Sequence, residues 1–186
     1  MSKKEALVLA AKDLLWKKGY EAMSPALIIK ESGAGQGSLY HHFSGKEALA
    51  LAAIERVEEE LCRSAQAVLQ GEGSPIGRIK KFLSMDRHSI KGCRIGRLVN
   101  EESVIKSSLK LPIQRYFKKL RGMLESVLLQ AKEAGELRED TDIKTLSVLI
   151  MATIQGGYVL SRAQQNGGMM KKATKALILH LDLHCQ

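Results

Sequence analysis

Side chains that can hydrogen-bond to bases and phosphates are concentrated just before residue 43. Leu39 and Phe43 stand four residues apart and would share the buried face of a short helix. At about 100° per residue, the rest of that helix presents small and hydrogen-bonding residues, namely Gln36, Gly37, Ser38, Tyr40 and His41. Amide, imidazole and hydroxyl groups can bond base edges or phosphates, and a glycine allows close approach. The pattern therefore favours contact with nucleic acid.

Two short helices joined by a glycine turn would position these side chains. Ser24 followed by Pro25 is typical of an N-cap and a first helical position, and Gly33 predicts the end of that helix. We expect a helix over 3–18 before the pair and a longer helix over 46–69 after it. A three-helix unit with such a turn is typical of a helix-turn-helix, whose second helix enters the major groove.

Three flanking residues complete the predicted DNA contacts. We expect Lys46, at the start of the following helix, to place a free ammonium beside unpaired backbone N–H groups, an arrangement that suits a phosphate. His42 lies near the backbone-facing edge of the recognition helix, and Ser24 starts the helix before it. These residues would position the protein on DNA more than they would read its sequence.

The whole chain is predicted to be all-α. Apolar residues recur at spacings of three and four, without a convincing β alternation. We expect about nine helices, those beyond residue 70 lying near 76–90, 93–105, 112–134, 142–164 and 168–184. The last two have broad apolar faces, which a chain of 186 residues would bury against a second copy of itself.

The N-terminal motif resembles the DNA-binding domain of the TetR/AcrR family of transcriptional regulators. The match covers about residues 3 to 51 and rests on these positions: Gly19-Tyr20, Ser24, Ile28, Gly33, Gly37-Ser38-Leu39-Tyr40-His41-His42-Phe43 and Lys46-Glu47-Ala48-Leu49. The resemblance implies a helix-turn-helix domain over 1–46 and a larger helical domain for effector binding and dimerisation over 47–186. It further implies a homodimer that binds a palindromic operator in double-stranded DNA and is released by a small-molecule effector. The apolar faces of the last two helices suggest that the dimer forms through them, and three widely spaced cysteines favour a reducing, cytoplasmic compartment.

The turn before the recognition helix departs from the family pattern. Ala34, Gly35 and Gln36 replace the family's usual aliphatic residue, serine or threonine cap, and lysine. A glycine cap is weaker than serine by only a few tenths of a kcal/mol, whereas the lost lysine removes a phosphate or guanine donor. An alternative is therefore a helical small-molecule-binding protein that has lost specific operator binding.

Cys93 suggests a second alternative, a thiol-based sensor of electrophiles or oxidants. We predict that Gly92-Cys93 begins a helix with Lys91, Arg94 and Arg97 nearby, and both features favour a thiolate. Some electrophile-responsive relatives look similar here. The competing interpretation is a small buried residue in a packed helix, and the sequence leaves both open.

A non-covalent effector pocket is predicted in the C-terminal domain from aromatic, flexible apolar and a few polar side chains. The candidates are Phe82, Met85, Cys93, Arg97, Tyr116, Phe117, Met123, Met151, Gln155 and Tyr158. Between residues 78 and 121 the chain carries thirteen basic and three acidic residues, a net charge of +10. That excess could favour an anionic effector, although a solvated basic face is the better explanation for most of these side chains.

The sequence favours several absences. The formal net charge is +9 with 45% hydrophobic residues, a composition typical of a folded protein rather than a disordered one. We expect no enzyme, cofactor or metal site, because no catalytic or metal-binding constellation stands at motif spacing; His180, His184 and Cys185 are a weak exception at the end of the chain. We expect no membrane span, since the longest uncharged stretch, 145–161, contains Ser, Thr, Gln and Gly.

Overall fold

The computed structural model describes residues 2–183 and residue 185, and within these it contains nine α-helices and two 3₁₀ helices. The α-helices are α1 (Lys3–Lys18), α2 (Pro25–Ser32), α3 (Gln36–His42), α4 (Lys46–Leu69), α5 (Pro75–Leu83), α6 (Glu102–Ile105), α7 (Lys110–Glu133), α8 (Ile143–Ala163) and α9 (Gly168–Asp182). The 3₁₀ helices are Ser89–Lys91 and Gly96–Asn100. Extended pairing among the described residues is an isolated bridge between Leu137 and Cys185. The predicted all-α class is confirmed.

Local capping residues set the limits of α1 and α2. The hydroxyl of Ser2 accepts the N–H of Glu5 at 3.1 Å, and the hydroxyl of Ser24 accepts the N–H of Leu27 at 3.2 Å. Each bond satisfies an amide that the first helical turn leaves without a partner. Gly33 ends α2 at φ +65°, a left-handed conformation that glycine adopts without steric cost.

The predicted helices over 76–90 and 93–105 are wrong in extent. Helix α5 ends early, where the guanidinium of Arg87 donates to three backbone carbonyls at 2.7 to 3.1 Å. The side chain thus satisfies acceptors at the helix end. Gly92 follows at φ +86° and separates the two 3₁₀ helices. The second predicted stretch therefore contains the 3₁₀ helix Gly96–Asn100 and the short α6 instead of one α-helix.

One compact unit comprises the chain up to Glu60 together with Cys93–Tyr116. Within it α1 packs against α2 and α3, around a core of Leu7, Leu15, Met23, Ile28, Leu39, Leu49 and Ile54. The buried carboxylate of Glu58 accepts from the guanidinium of Arg115 at 2.9 and 3.1 Å, and a buried charge requires such a partner. The predicted functional boundary after residue 46 stays a prediction.

The other compact unit comprises Leu61–Gly92 and the chain from Phe117 onward. Helices α8 and α9 pack closely in it. Gly157 allows this approach because it has no side chain, and a Cβ there would lie 2.6 Å from Sδ of Met170. The hydroxyl of Ser161 also accepts the N–H of Met170 at 3.0 Å. The last two helices therefore form a closely packed helical hairpin, joined by the short connection at 164–167.

Helix α8 is long and apolar enough to cross a membrane by length and composition alone, with a mean hydropathy of 1.4 over its most apolar 18 residues. Core helices of soluble proteins have the same property. Only 28% of that window is buried within the described part of the chain, although α8 packs along α9. An apolar surface on α8 therefore remains to be covered.

Candidate nucleic-acid interface

Helix α3 has one buried side and one exposed side, as its sequence predicts. Leu39 and Phe43 are buried, and the ammonium of Lys4 lies 6.0 Å from the ring centroid of Phe43. Tyr40 is 54% exposed, so it does not belong to the core. The other predicted contact residues of this helix are exposed or half-buried: Gln36, Gly37, Ser38, His41 and His42. The exposed side of α3 thus carries small or polar side chains that solvent can reach, together with the ring of Tyr40.

The turn before α3 is built from small residues. Gly35 is the N-cap of α3 and adopts an extended φ of −73°, which any residue can adopt. A Cβ at Gly35 or at Gly37 would meet no atom of the described chain within 4 Å. Packing within the protein therefore does not require glycine at either position, and Gly37 in particular leaves the outer surface of the helix flat.

Lys46 differs from the prediction of a free ammonium. Its Nζ donates to the carbonyl of Glu21 at 3.3 Å and lies 4.3 Å from the ring centroid of Tyr20. Burial of the Tyr20 phenol, with a smaller effect of the Glu47 carboxylate, raises the pKa of Tyr20. Lys46 is thus held against the turn that joins α1 to α2 by a cation–π contact and a hydrogen bond. Sequence reasoning missed this because the Glu21 carbonyl lies 25 residues away along the chain.

Cys93 is placed differently from the prediction of a helix N-terminus. The 3₁₀ helix begins at Gly96, and the thiol of Cys93, 6% exposed, accepts the N–H of that residue at 3.2 Å. The two arginines near it in sequence have other partners: Arg94 pairs with Glu60 at 2.9 Å, and Arg97 donates to the carbonyl of Trp16. The local structure favours the buried, packed interpretation of this cysteine.

The Glu60 carboxylate lies between two cations. Burial alone would raise the pKa of Glu60, but hydrogen bonds from Lys12 and Arg94 lower it below its ordinary value. The Lys12 contact is 2.6 Å, and the Arg94 guanidinium also lies 5.6 Å from the Trp16 ring centroid. The positive charge near Cys93 is therefore partly neutralised within the first compact unit.

The predicted effector residues fall into both compact units. Cys93, Arg97 and Tyr116 belong to the first unit, and the remaining seven belong to the second. A cavity of about 520 Å³ in the second unit is lined by Leu83, Ser84, Met85, Asp86, Arg87, Ser89, Gly167, Met170, Lys171, Thr174, Lys175 and Ile178. Of the predicted set, Met85 lines it.

Sequence reasoning missed the α9 side of this cavity. Met170, Thr174 and Ile178 recur every four residues, so one face of α9 lines the space. The signal was present as an i,i+4 repeat, but an apolar repeat in a terminal helix reads as core or interface. A smaller cavity of about 290 Å³ lies beside the start of α8 and includes Thr141, Leu146 and His180.

The metal interpretation concerns three residues at the end of the chain, of which His184 lies outside the described residues. Among the residues that the structure does describe, no group of three histidine, cysteine or acidic side chains is arranged to hold a metal ion.

Comparisons with known proteins match both parts of the chain. Residues 4–53 match the model for bacterial regulatory proteins of the tetR family, and residues 78–177 match the model for the tetracyclin repressor-like C-terminal domain. The HTH-type transcriptional regulator LmrA of Bacillus subtilis is 31% identical over 170 residues, covering 88% of each chain. YxaF, an uncharacterized HTH-type transcriptional regulator of the same bacterium, is 30% identical over 85% of this chain and 84% of its own.

Solved structures share the fold along nearly the whole chain. A TetR transcriptional regulator from Chloroflexus aurantiacus superposes with a TM-score of 0.90 at 24% identity, covering 98% of this chain and 96% of its own. The reduced form of Escherichia coli NemR gives a TM-score of 0.85 at 21% identity, covering 100% and 98%. At these identities the likeness concerns the fold.

Proposed function

Because the chain belongs to the TetR family of bacterial regulatory proteins, we propose that this transcriptional regulator is a homodimeric repressor released from a palindromic operator by a small-molecule effector. Residues 1–46 would bind DNA, and residues 47–186 would bind the effector and dimerise. The observation that carries the proposal is α3, which buries Leu39 and Phe43 and exposes a polar side. The regulatory names of the relatives support a non-enzymatic role in the cytoplasm.

In the proposed complex α3 lies in the major groove. Gln36 and His41 bond base edges, while Ser38 and Tyr40 reach bases or phosphates. Lys46 and the residues around the start of α2, including Ser24, face the DNA backbone together with His42. One or two N–H groups of the Lys46 ammonium remain for a phosphate after its bond to the Glu21 carbonyl.

Substituting Tyr40 or Lys46 with alanine should weaken operator binding and leave the dimer intact. Tyr40 is exposed, so Tyr40→Ala removes a DNA contact without opening the core. Lys46→Ala removes a positive charge near the DNA backbone. A salt-dependent mobility shift on the promoter next to the protein's own gene measures both effects. Wild-type specific binding should exceed non-specific binding by at least ~10³, and Lys46→Ala should reduce the salt dependence by about one phosphate contact.

Two results would contradict this docking. Wild-type protein without preference for any duplex would favour the alternative, a small-molecule-binding protein that has lost its operator. Undiminished operator affinity in both alanine variants would place the DNA contacts elsewhere.

The 520 Å³ cavity supports an effector site in the second compact unit. Its volume lies in the range of small-molecule pockets, and Leu83, Met85, Met170 and Ile178 give it apolar walls. Arg87, Lys171 and Lys175 stand against a single acidic residue, Asp86. This balance supports an amphipathic, anionic effector, and it comes from Lys171 and Lys175, which lie outside the basic stretch 78–121.

The thiol-sensor alternative predicts that Cys93 is alkylated first, and N-ethylmaleimide is a suitable probe of the order of reaction. Cys93 is buried, whereas Cys62 is partly exposed, so we expect Cys62 to be alkylated first. Burial also raises the pKa of Cys185, which slows its alkylation because the thiolate is the reactive form. Mass spectrometry of the alkylated protein, with operator binding measured in parallel, checks this order.

Cys93→Ser provides the decisive comparison, with Cys62→Ser as its matched control. We expect both variants to respond to electrophiles in a reporter assay as the wild type does. A response that disappears in Cys93→Ser and persists in Cys62→Ser would establish the sensor and refute the non-covalent interpretation.

A further inference from the structure

Glu101 connects two distant parts of the first compact unit. It lies between the 3₁₀ helix Gly96–Asn100 and α6, and its side chain reaches the turn that joins α1 to α2. One carboxylate oxygen accepts the N–H of Tyr20 at 3.1 Å, and the other accepts the N–H of Glu21 at 2.7 Å. Hydrogen bonds from two successive amides to an ionised carboxylate are stronger and more directional than neutral ones.

The turn is shaped to receive this carboxylate. Gly19 precedes the two amides at φ +89°, and a Cβ at this position would collide with Oε1 of Glu101. The two amides that follow both donate to this one carboxylate, as successive amides do in backbone anion-binding concavities. The backbone conformation therefore favours glycine at residue 19, and a side chain there would also displace the Glu101 carboxylate.

Other groups hold the same dipeptide. Lys46 binds the carbonyl of Glu21 and the ring of Tyr20, and the hydroxyl of Ser103 donates to the Glu21 carboxylate at 2.9 Å. Both amides of this dipeptide, the carbonyl and carboxylate of Glu21 and the ring of Tyr20 thus all have partners. It ends three residues before Ser24, which caps α2.

We propose that Glu101 is a positioning residue for DNA binding, which fixes the turn between α1 and α2 and thereby the orientation of the α2–α3 pair. This inference rests on the proposed function. Without the carboxylate, the turn samples several conformations and only a fraction of molecules presents α3 correctly. Apparent operator affinity falls in proportion to that fraction.

Electrostatics alone predicts the opposite result, which makes the test discriminating. Glu101→Gln removes one negative charge and should strengthen binding to a polyanion. Its glutamine can accept one amide only, since its NH₂ group faces the other. Glu102→Gln is the matched control, because it changes the charge equally at a neighbouring exposed residue that pairs with Lys106.

The experiment uses the full chain and a duplex selected by the wild type from a random library. We expect Glu101→Gln to bind this duplex about tenfold more weakly by fluorescence anisotropy, with an unchanged slope against salt because no phosphate contact is lost. Glu102→Gln should bind as tightly as the wild type or more tightly. Equal or tighter binding by Glu101→Gln would overturn the inference.

A second readout separates positioning from general loss of structure. Amide hydrogen exchange at Tyr20 and Glu21 should accelerate in Glu101→Gln, while the amides in the middle of α1 exchange as in the wild type. Unchanged exchange at both residues would also overturn the inference. If Glu101→Gln fails to fold, Ser103→Ala replaces it; we expect binding roughly threefold weaker, and undiminished affinity would count against the proposal.

Failure of the proposed function is distinguishable from failure of this inference. A wild-type chain that selects no duplex overturns both. A wild-type chain that selects a duplex, with Glu101→Gln binding it equally well, overturns the role of Glu101 alone.

Discussion

Gly37→Glu should abolish specific operator binding without destabilising the protein. A Cβ at Gly37 meets no atom of the described chain within 4 Å, so the fold has room for a larger side chain. Glycine inside a helix is also less favourable than alanine by about 1 kcal/mol. The expected effect therefore lies entirely at the protein–DNA surface, where Gly37 is part of the exposed side of α3.

A glutamate at this position would be both bulky and of the wrong charge. It would hold α3 away from the groove floor and add an anion close to the phosphates. We expect specific affinity to fall roughly 100-fold or more, and Gly37→Ala to fall less while raising the free energy of unfolding by roughly 0.5–1 kcal/mol. Anisotropy titration and thermal unfolding of the two variants measure these quantities.

Gly122→Glu is the matched control for this substitution. Gly122 is another exposed helical glycine, inside α7, whose Cβ would also meet nothing within 4 Å. The two variants thus share their charge change and an exposed position on a helix, Gly37 in the first turn of α3 and Gly122 in the middle of α7. If Gly37→Glu bound the selected duplex within a few fold of Gly122→Glu, α3 would not be the recognition helix.

The elements that could be predicted from the sequence are those fixed by local interactions. Ser24 and Pro25 start α2, Gly33 ends it, and the spacing of Leu39 and Phe43 defines the buried side of α3. Capping bonds and side-chain spacing act over three or four residues. The bounds of α1 to α4 follow for this reason.

Interactions between distant residues could not be predicted in the same way. The Lys46 ammonium looked available because its neighbours in sequence offer it no acceptor, yet Glu21 and Tyr20 hold it. The local sequence around Cys93 predicts a helix, but helix propensity is a weak prior that tertiary contacts can override. In the structure this part of the chain is mainly 3₁₀ helix and loop, and the side chains of Arg97 and Glu101 hydrogen-bond to the backbone of residues 16–21.

Leu179→Glu should convert the protein to monomers and remove most operator affinity. Leu179 is 59% exposed on α9. Other exposed apolar side chains of the last two helices are Val148, Leu149, Val159, Leu160 and Leu183. Exposed apolar side chains in such number are unfavourable in water and suit the proposed two-fold interface, in which each substitution would act twice. A glutamate there would be buried without a partner in the proposed interface, which would strongly destabilise the dimer.

The loss of DNA affinity follows from the geometry of paired sites. Two linked heads bind a palindrome with an effective concentration that a single head lacks, so a monomer should bind the operator roughly 10²–10⁴-fold more weakly. Sedimentation velocity and anisotropy measure the two effects on one sample. Leu129→Glu is the control, since Leu129 is 46% exposed on α7 and outside the proposed interface. If Leu179→Glu stayed dimeric, or if Leu129→Glu alone became monomeric, the interface would lie on other helices, and the exposed apolar side of α8 and α9 would need a different partner.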